Sequence, residues 1–126
     1  MNNVQPANIQ ERTMDYSLRA IALYQHLQKK KDGAAWVLAK QYLRCATSIG
    51  ANIAEAQAGE SRSDFIHKCA IAQKEARESI YWLRLMTKSC LIPEQRIAPL
   101  IQETHEVTAI ITKIITNSKK NRPTQD

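Results

Sequence analysis

Residues 61–90 constrain the fold most strongly, because this long segment contains neither proline nor glycine. Ser61 is suited to capping the first amides of a helix, and Asp64 falls in the first turn, where an acid is favourable. Gly59, just upstream, is suited to ending a preceding helix. The segment is therefore predicted to form one continuous helix.

On a helical wheel, residues 61–90 divide into three stripes. The first is apolar and is predicted to face the core: Phe65, Cys69, Ala72, Ala76, Ile80, Leu83 and Thr87. The second holds four cations, one tyrosine and no acid: Lys74, Arg77, Tyr81, Arg84 and Lys88. The third is amphipathic: Ile71, Glu75, Glu78, Trp82 and Met86. A helix with a second, amphipathic flank is expected to contact its own domain on one side and another molecule on the other.

The rest of the chain predicts a single all-α domain. At 126 residues it can bury one core, and its glycines and aromatic residues are few. Further helices are predicted over residues 9–30, over residues 34–58, and up to about residue 117 after a short turn or a kink at Pro99. Short links between four such helices predict an antiparallel up-down four-helix bundle. The predicted organisation is a flexible arm (1–8), the bundle (9–118) and a disordered basic tail (119–126).

The predicted apolar faces of the other helices follow the same periodicity. In the first helix they are Met14, Leu18, Ala20, Ile21, Tyr24 and Leu27. In the second they are Leu38, Tyr42, Cys45, Ile49, Ile53 and Ala56. In the fourth they are Leu100, Ile101, Thr104, Val107, Thr108, Ile111, Ile114 and Ile115.

A polar stripe in the second helix predicts contacts with the third. Arg44 or Asn52 is expected to pair with Glu75 or Glu78, which would set the register of the two helices. Gly50, inside the second helix, predicts either close packing or a local bend.

The charge is basic and uneven. The net charge is +6, and between Arg19 and Glu55 the only acid is Asp32. A basic protein of this size attracts polyanions, nucleic acid above all, although a solubilising surface explains the charge equally well. Lys29, Lys30 and Lys31 also complement the dipole at the end of the first helix, which needs no ligand.

The cysteines and the N-terminal sequence predict the cellular compartment of the protein. Cys45, Cys69 and Cys90 form no CxxC pair, which favours a reducing cytoplasm over a disulfide framework. No signal-peptide pattern and no apolar run of membrane-spanning length is present, so we expect no membrane partner.

Catalytic and metal-binding patterns are scarce. The Glu-x-x-His motif of di-metal bundles does not occur, nor does a glycine-rich phosphate loop. No cysteine has a histidine at a useful spacing, and no serine stands in an elbow motif. Glu75 and Glu78 are expected to be ion-pair partners rather than an acid–base pair. The sequence therefore predicts a protein without a metal, without a cofactor and without enzymatic activity.

Three segments carry a resemblance to a known family: residues 44–56 (RCATSIGANIAEA), 61–68 (SRSDFIHK) and 74–85 (KEARESIYWLRL). They resemble the bacterial four-helix bundle proteins named for intervening sequences in 23S rRNA genes. That family includes the accessory variability determinant (Avd) proteins of diversity-generating retroelements. The resemblance covers residues 12–118.

The resemblance implies a homo-oligomeric, pentameric barrel of bundles with a basic surface. In the retroelement branch it also implies binding to RNA or DNA and to a reverse transcriptase. The residues expected at subunit contacts, where aromatic residues and methionine are enriched, are Trp36, Ile71, Trp82 and Met86. The alternative is that the two tryptophans cap the core of a single subunit.

These observations predict a non-enzymatic nucleic-acid-binding accessory protein. Tyr81 is expected either to stack on a base or to hydrogen-bond. The cations expected to hold phosphates are Lys74, Arg77, Arg84, Lys88, Lys40 and Arg44. The alternative is an interaction scaffold whose cations dock an acidic partner protein, for example a reverse transcriptase.

Overall fold

A computed structural model describes residues 6–120, with side chains from Ile9 onward. Four helices make up this part of the chain: α1 Pro6–Gln28, α2 Gly33–Gln57, α3 Arg62–Lys88 and α4 Glu94–Lys120. No strand occurs between residues 6 and 120, so the predicted all-α class is confirmed.

Local capping explains where two of the helices begin. Asp32 Oδ1 accepts hydrogen bonds from the amides of Ala34 and Ala35, at 2.9 and 3.2 Å. Ser61 Oγ accepts from the amide of Asp64 at 3.1 Å, and Asp64 lies in the first turn as predicted. These side chains satisfy amides that have no partner within the helix.

Ion pairs define the direction in which neighbouring helices run. Arg44 Nη2 lies 3.7 Å from Glu78 Oε2, and Lys68 Nζ lies 3.7 Å from Glu55 Oε1. Residues later in α2 therefore meet residues earlier in α3, so the two helices are antiparallel. The predicted pair between Arg44 and Glu78 is confirmed.

The bundle closes where α1 packs against α4. Arg12 donates hydrogen bonds to both carboxylate oxygens of Glu103, each at 2.8 Å, and also to Glu106. Because α1 also packs on α2 and α3 packs on α4, the helices form an up-down four-helix bundle.

Gly50 marks a close approach of α2 to α1. A Cβ atom at this position would lie 3.3 Å from Thr13 Oγ1 and 3.4 Å from the Thr13 carbonyl oxygen. Of the two alternatives in the sequence, close packing is therefore the explanation for this glycine.

The predicted apolar face of α1 is partly wrong. Met14, Leu18 and Ile21 are exposed, at 63%, 57% and 38% of their surface. The buried face is instead formed by Ile9, Thr13, Tyr16, Ala20 and Leu27. The polar atoms of Thr13 and Tyr16 have hydrogen-bond partners inside the bundle, which allows these two residues to be buried in the core.

The other apolar faces agree more closely with prediction. The predicted residues that are fully buried are Tyr42, Cys45, Ile49, Ile53, Ala56, Cys69, Ala72, Ala76, Leu83, Leu100, Thr104, Val107, Ile111 and Ile115. The half-buried ones are Leu38, Phe65, Ile80, Thr87, Ile101, Thr108 and Ile114.

The helix boundaries extend beyond the predicted bundle. Residues 6–8 are helical rather than an arm, and α4 continues through Lys119 and Lys120, which were predicted to lie in the tail. Residues 1–5 and 121–126, which hold the rest of the predicted arm and tail, lie outside the described residues. Pro99 lies inside α4, with no separate turn before it. Because proline has no N–H, it cannot donate a hydrogen bond to the carbonyl oxygen of Gln95, which is an exposed residue.

Candidate nucleic-acid interface

One face of α3 carries a row of exposed basic side chains. We define the basic ridge as Lys74, Arg77, Tyr81, Arg84 and Lys88, all five of which are exposed. Their alternating spacing of three and four residues keeps them on one side of the helix. From the first to the last, the ridge spans about 21 Å along the helix axis.

The cations of the basic ridge make no ion pair with any carboxylate in the described part of the chain. Among residues 9–120, the basic side chains that pair with a carboxylate are Arg12, Arg44 and Lys68. The four ridge cations therefore keep their charge available for a partner.

Tyr81 presents an exposed ring in the middle of the ridge. It is 58% exposed, and its ring packs edge-on against Trp82 with centroids 5.1 Å apart. Trp82 is held in turn by a hydrogen bond of 3.2 Å from its Nε1 to Glu78 Oε2. The tyrosine ring is thus supported from one side and accessible from the other.

The two α2 residues predicted to join this surface differ in availability. Lys40 is exposed and makes no ion pair with another described residue. Arg44 is also exposed, but it donates to Gln41 Oε1 at 2.8 Å in addition to its contact with Glu78. Arg44 is therefore partly engaged within the protein.

One end of the bundle, formed by the links at residues 29–32 and 89–93, is strongly basic. We call it the loop end. Its cations are Lys29, Lys30, Lys31, Lys40, Arg84, Lys88 and Arg96. Within residues 22–40 and 81–101, the only carboxylates are Asp32 and Glu94. The up-down topology brings these distant segments together, so the loop end concentrates positive charge beside the ridge.

Two clefts near the loop end were not predicted from the sequence. A groove of about 580 Å³ between α3 and α4 is lined by Arg84 and Lys88 and has apolar walls at Ala98 and Ile101. A smaller cleft of about 280 Å³ between α1 and α4 is lined by residues that include Arg19, His26 and Arg96. Neither could be found in the sequence, because each depends on how two helices pack against each other.

The predicted subunit-contact residues do not form one exposed surface. Trp36 is 45% exposed, and its Nε1 donates to the Lys30 carbonyl oxygen at 2.8 Å. Ile71 and Trp82 are half-buried. Met86 is fully buried in the core of the single chain, so its prediction as a subunit contact is wrong. It lies between the core-facing and amphipathic stripes of α3, and packing draws it inward.

A different apolar surface is exposed on α1. Met14, Leu18 and Ile21 follow one another at helical spacing and share one side of the helix. Val37 of α2 is also exposed, at 60%. The apolar periodicity of α1 includes Met14, Leu18 and Ile21 and predicts that they face the core, whereas they lie on the surface.

A mixed group of side chains lies between α2 and α3. The Cys45 cluster consists of Cys45, Glu75 and Glu78, with the sulfur atom and one oxygen of each carboxylate within 4.8 Å of one another. Burial raises the pKa of the Cys45 thiol to about 12, and its hydrogen bond to the Glu78 carboxylate acts in the same direction. The same hydrogen bond, together with that from Trp82, lowers the pKa of Glu78.

Among the described residues, no helix is long and apolar enough to cross a membrane.

The fold and this surface together define a class: all-α bundle proteins with a row of exposed cations on one helix. Comparison with known proteins makes the identification more specific. Residues 6–113 match the model of the family described as 23S rRNA-intervening sequence protein, and the chain belongs to that family. The resemblance predicted from the sequence is confirmed.

A solved structure supports the fold in detail. It is a protein of unknown function from the S23 ribosomal protein family of Bacteroides thetaiotaomicron VPI-5482. The two chains are 34% identical, with a TM-score of 0.85 over 90% of this chain and 99% of the other. No functionally curated protein matches this chain.

Proposed function

We propose that this protein is a non-enzymatic accessory factor that binds nucleic acid through phosphate contacts along the basic ridge. The observation that carries the proposal is that the four ridge cations are exposed and unpaired among the described residues. Phosphate contacts of this kind supply most of the affinity of proteins that do not read base sequence.

The arrangement of the ridge favours a single strand or a locally opened one. Tyr81 lies between the cations with its ring accessible, so a base that leaves its stack can stack on the ring while Arg77 and Arg84 hold the adjoining phosphates. Lys40 and the cations of the loop end extend the positive surface beyond α3.

RNA is the favoured nucleic acid. The family is named for an intervening sequence of 23S rRNA, and the structural neighbour is assigned to a ribosomal protein family. DNA and a reverse transcriptase enter the proposal through the resemblance to Avd proteins. The free thiols of Cys45, Cys69 and Cys90 favour a reducing cytoplasm as the site of action.

The test is a charge reversal on the ridge, Arg77→Glu with Arg84→Glu. We expect the affinity for a short labelled single-stranded RNA to fall by more than about tenfold, because two phosphate contacts become repulsive. The matched control is Lys113→Glu with Lys119→Glu, which makes the same change in charge at exposed positions of α4. RNA binding that survives the ridge reversal overturns the proposal. Loss of binding to an acidic partner protein in a variant whose RNA binding is intact indicates the scaffold function instead.

Self-association is the second part of the proposal. The exposed apolar residues of α1, with Val37 and Trp36 of α2, supply the surface that an assembly of subunits would cover. The proposal that five subunits assemble rests on the family resemblance. Such a closed ring would repeat the basic ridge around its axis.

Light scattering tests this assembly. Met14→Glu with Leu18→Glu should reduce the mass in solution to that of one chain, because a charge buried at an interface is costly. Ala109→Glu with Thr116→Glu places the same charge at exposed positions of α4 and should leave the mass unchanged. A monomeric wild-type protein contradicts this part while leaving the nucleic-acid proposal standing.

A further inference from the structure

We propose that Cys45, Glu75 and Glu78 form a binding site for a thiophilic divalent cation, Zn²⁺ in the first place, that joins α2 to α3. This site is separate from the basic ridge and does not depend on nucleic-acid binding. Sequence spacing did not indicate it, because the thiol and the two carboxylates lie on different helices.

The geometry is close to that of a zinc site with three protein ligands. The three donor atoms lie within 4.8 Å of one another. Tetrahedral Zn²⁺ with bonds of about 2.3 Å to sulfur and about 2.1 Å to oxygen requires donors about 3.5 Å apart. Rotation of the Glu75 side chain can supply a contraction of about 1 Å without moving either helix. A water molecule would complete the coordination.

One carboxylate oxygen of the Cys45 cluster lacks a hydrogen-bond partner among the described residues. This atom is Glu75 Oε1, which is buried. A buried carboxylate oxygen without a partner is unfavourable, and native proteins rarely retain one. A bound cation would satisfy it directly.

The surroundings suit a bound cation. Trp82 Nε1 donates to Glu78 Oε2, which fixes the orientation of that carboxylate as outer contacts do in metal sites. One thiolate, two carboxylates and a divalent cation carry a net charge of −1. The Arg44 guanidinium, 3.7 Å from Glu78 Oε2, partly offsets this charge.

The donor set determines which metals fit. A thiolate favours Zn²⁺ and Co²⁺ over Mg²⁺ and Ca²⁺, which prefer ligands made of oxygen alone. As the sulfur–metal bond forms, the S–H bond of Cys45 breaks and its proton passes to solvent. Binding therefore releases one proton and becomes tighter as the pH rises.

Titration with Co²⁺ tests the proposal, because thiolate-bound tetrahedral Co²⁺ gives a near-ultraviolet charge-transfer band and intense visible bands. The full chain is used with Cys90→Ser, since Cys90 is exposed and free and would itself bind the metal. We expect a spectrum that saturates at one equivalent, is displaced by Zn²⁺, and accompanies a rise in melting temperature.

Two variants locate the site. Cys45→Ser should remove the charge-transfer band, and Glu75→Gln, which keeps the shape of the side chain, should weaken binding by at least about 100-fold. Cys69→Ser is the control, because it alters a buried thiol outside the cluster and should leave the spectrum intact. The proposal is overturned if Co²⁺ gives no saturable band, or if the charge-transfer band persists in Cys45→Ser. Circular dichroism confirms that each variant is folded.

Discussion

Tyr42 donates a hydrogen bond of 3.0 Å to the hydroxyl oxygen of Tyr16 in the fully buried centre of the bundle. The Tyr16 hydroxyl lies 2.6 Å from Thr104 Oγ1, which in turn donates to the Leu100 carbonyl oxygen at 2.7 Å. Because the threonine proton is used in that last bond, Tyr16 must donate to Thr104. A continuous chain of hydrogen bonds therefore links α2, α1 and α4.

The first prediction concerns the middle of this chain. Tyr16→Phe should lower the free energy of unfolding by about 1–3 kcal/mol, because it leaves the buried Tyr42 hydroxyl without an acceptor. Adding Tyr42→Phe removes the orphaned hydroxyl, so the double variant should cost less than the sum of the two single variants. Urea unfolding of the three variants measures this. Additive costs would show that the two hydroxyls are not coupled.

The second prediction concerns the end of α3. Cys90 has a φ of 63°, a left-handed conformation that costs an L-residue about 1–2 kcal/mol and costs glycine little. The conformation lets the Leu91 amide donate to the Met86 carbonyl oxygen at 3.0 Å, which ends the helix. Cys90→Gly should therefore raise the free energy of unfolding by about 1 kcal/mol.

The matched control for Cys90→Gly is the preceding residue. Ser89 has a φ of −85°, which any residue adopts, so Ser89→Gly should give no increase in stability. Chemical denaturation of both variants under reducing conditions decides the matter. An equal change in the two would mean that the left-handed conformation is not the cause.

The stripes of α3 and the buried face of α1 show what could be predicted from the sequence and what could not. The stripes of α3 were predictable because apolar and charged residues alternate with the helix period, and the five ridge residues are indeed exposed. The buried face of α1 was not, because Tyr16 is an acceptable core residue only when other helices satisfy its hydroxyl, as Thr104 and Tyr42 do. Periodicity within one helix carries no information about those partners.

The same reason explains one cluster that the sequence did not indicate and one predicted contact residue that was wrong. The Cys45 cluster depends on the register between α2 and α3, which the sequence suggested only through the pair of Arg44 and Glu78. Met86 lies at the border of two stripes, where the wheel cannot decide between the core and the surface. Both outcomes were set by packing between helices rather than by local pattern.

The third prediction compares two glycines in α2. Gly33 has nothing within 4 Å of a Cβ placed on it, so Gly33→Ala should stabilise the protein by about 0.5–1 kcal/mol through lower chain entropy in the unfolded state. At Gly50 the added Cβ would press on Thr13, and the helices would have to separate slightly. Gly50→Ala should therefore lower the free energy of unfolding by about 1 kcal/mol, despite the better helix propensity of alanine. Melting temperatures that move in the same direction would contradict the close approach of α1 and α2.

The fourth prediction is a loss of stability at alkaline pH. The Cys45 thiol has a pKa of about 12 in the folded protein, against an ordinary value of 9.0. Above pH 9 the unfolded chain loses this proton first, so the free energy of unfolding falls as the pH rises towards the folded value, by up to about 1.4 kcal/mol per pH unit. Burial also raises the pKa of Tyr16 and of Tyr42, which adds a further loss above pH 10.

Cys45→Ala isolates the contribution of the thiol. In this variant, stability should change less between pH 9 and pH 10 than in the wild type, whereas Cys90→Ala, at an exposed position, should behave like the wild type. Urea midpoints measured at several pH values in the presence of a reductant provide the comparison. An identical pH profile for Cys45→Ala and the wild type would mean that the buried thiol is not the group responsible.

The fifth prediction is the salt dependence of RNA binding. If the four ridge cations each contact one phosphate of a single strand, the plot of log affinity against log salt concentration should have a slope of about −3, since each contact contributes about −0.7. Neutralising two of them, in Arg77→Gln with Arg84→Gln, should make the slope shallower by about 1.4.

The matched control is on α4. Lys113→Gln with Lys119→Gln removes the same charge from that helix and should leave the slope unchanged. The slope separates a direct contact from a general effect of net charge, because both double variants lower the charge equally and only the ridge residues would release counterions on binding. Affinity that does not vary with salt would contradict binding through phosphates, and equal slopes in the two double variants would place the nucleic acid away from α3.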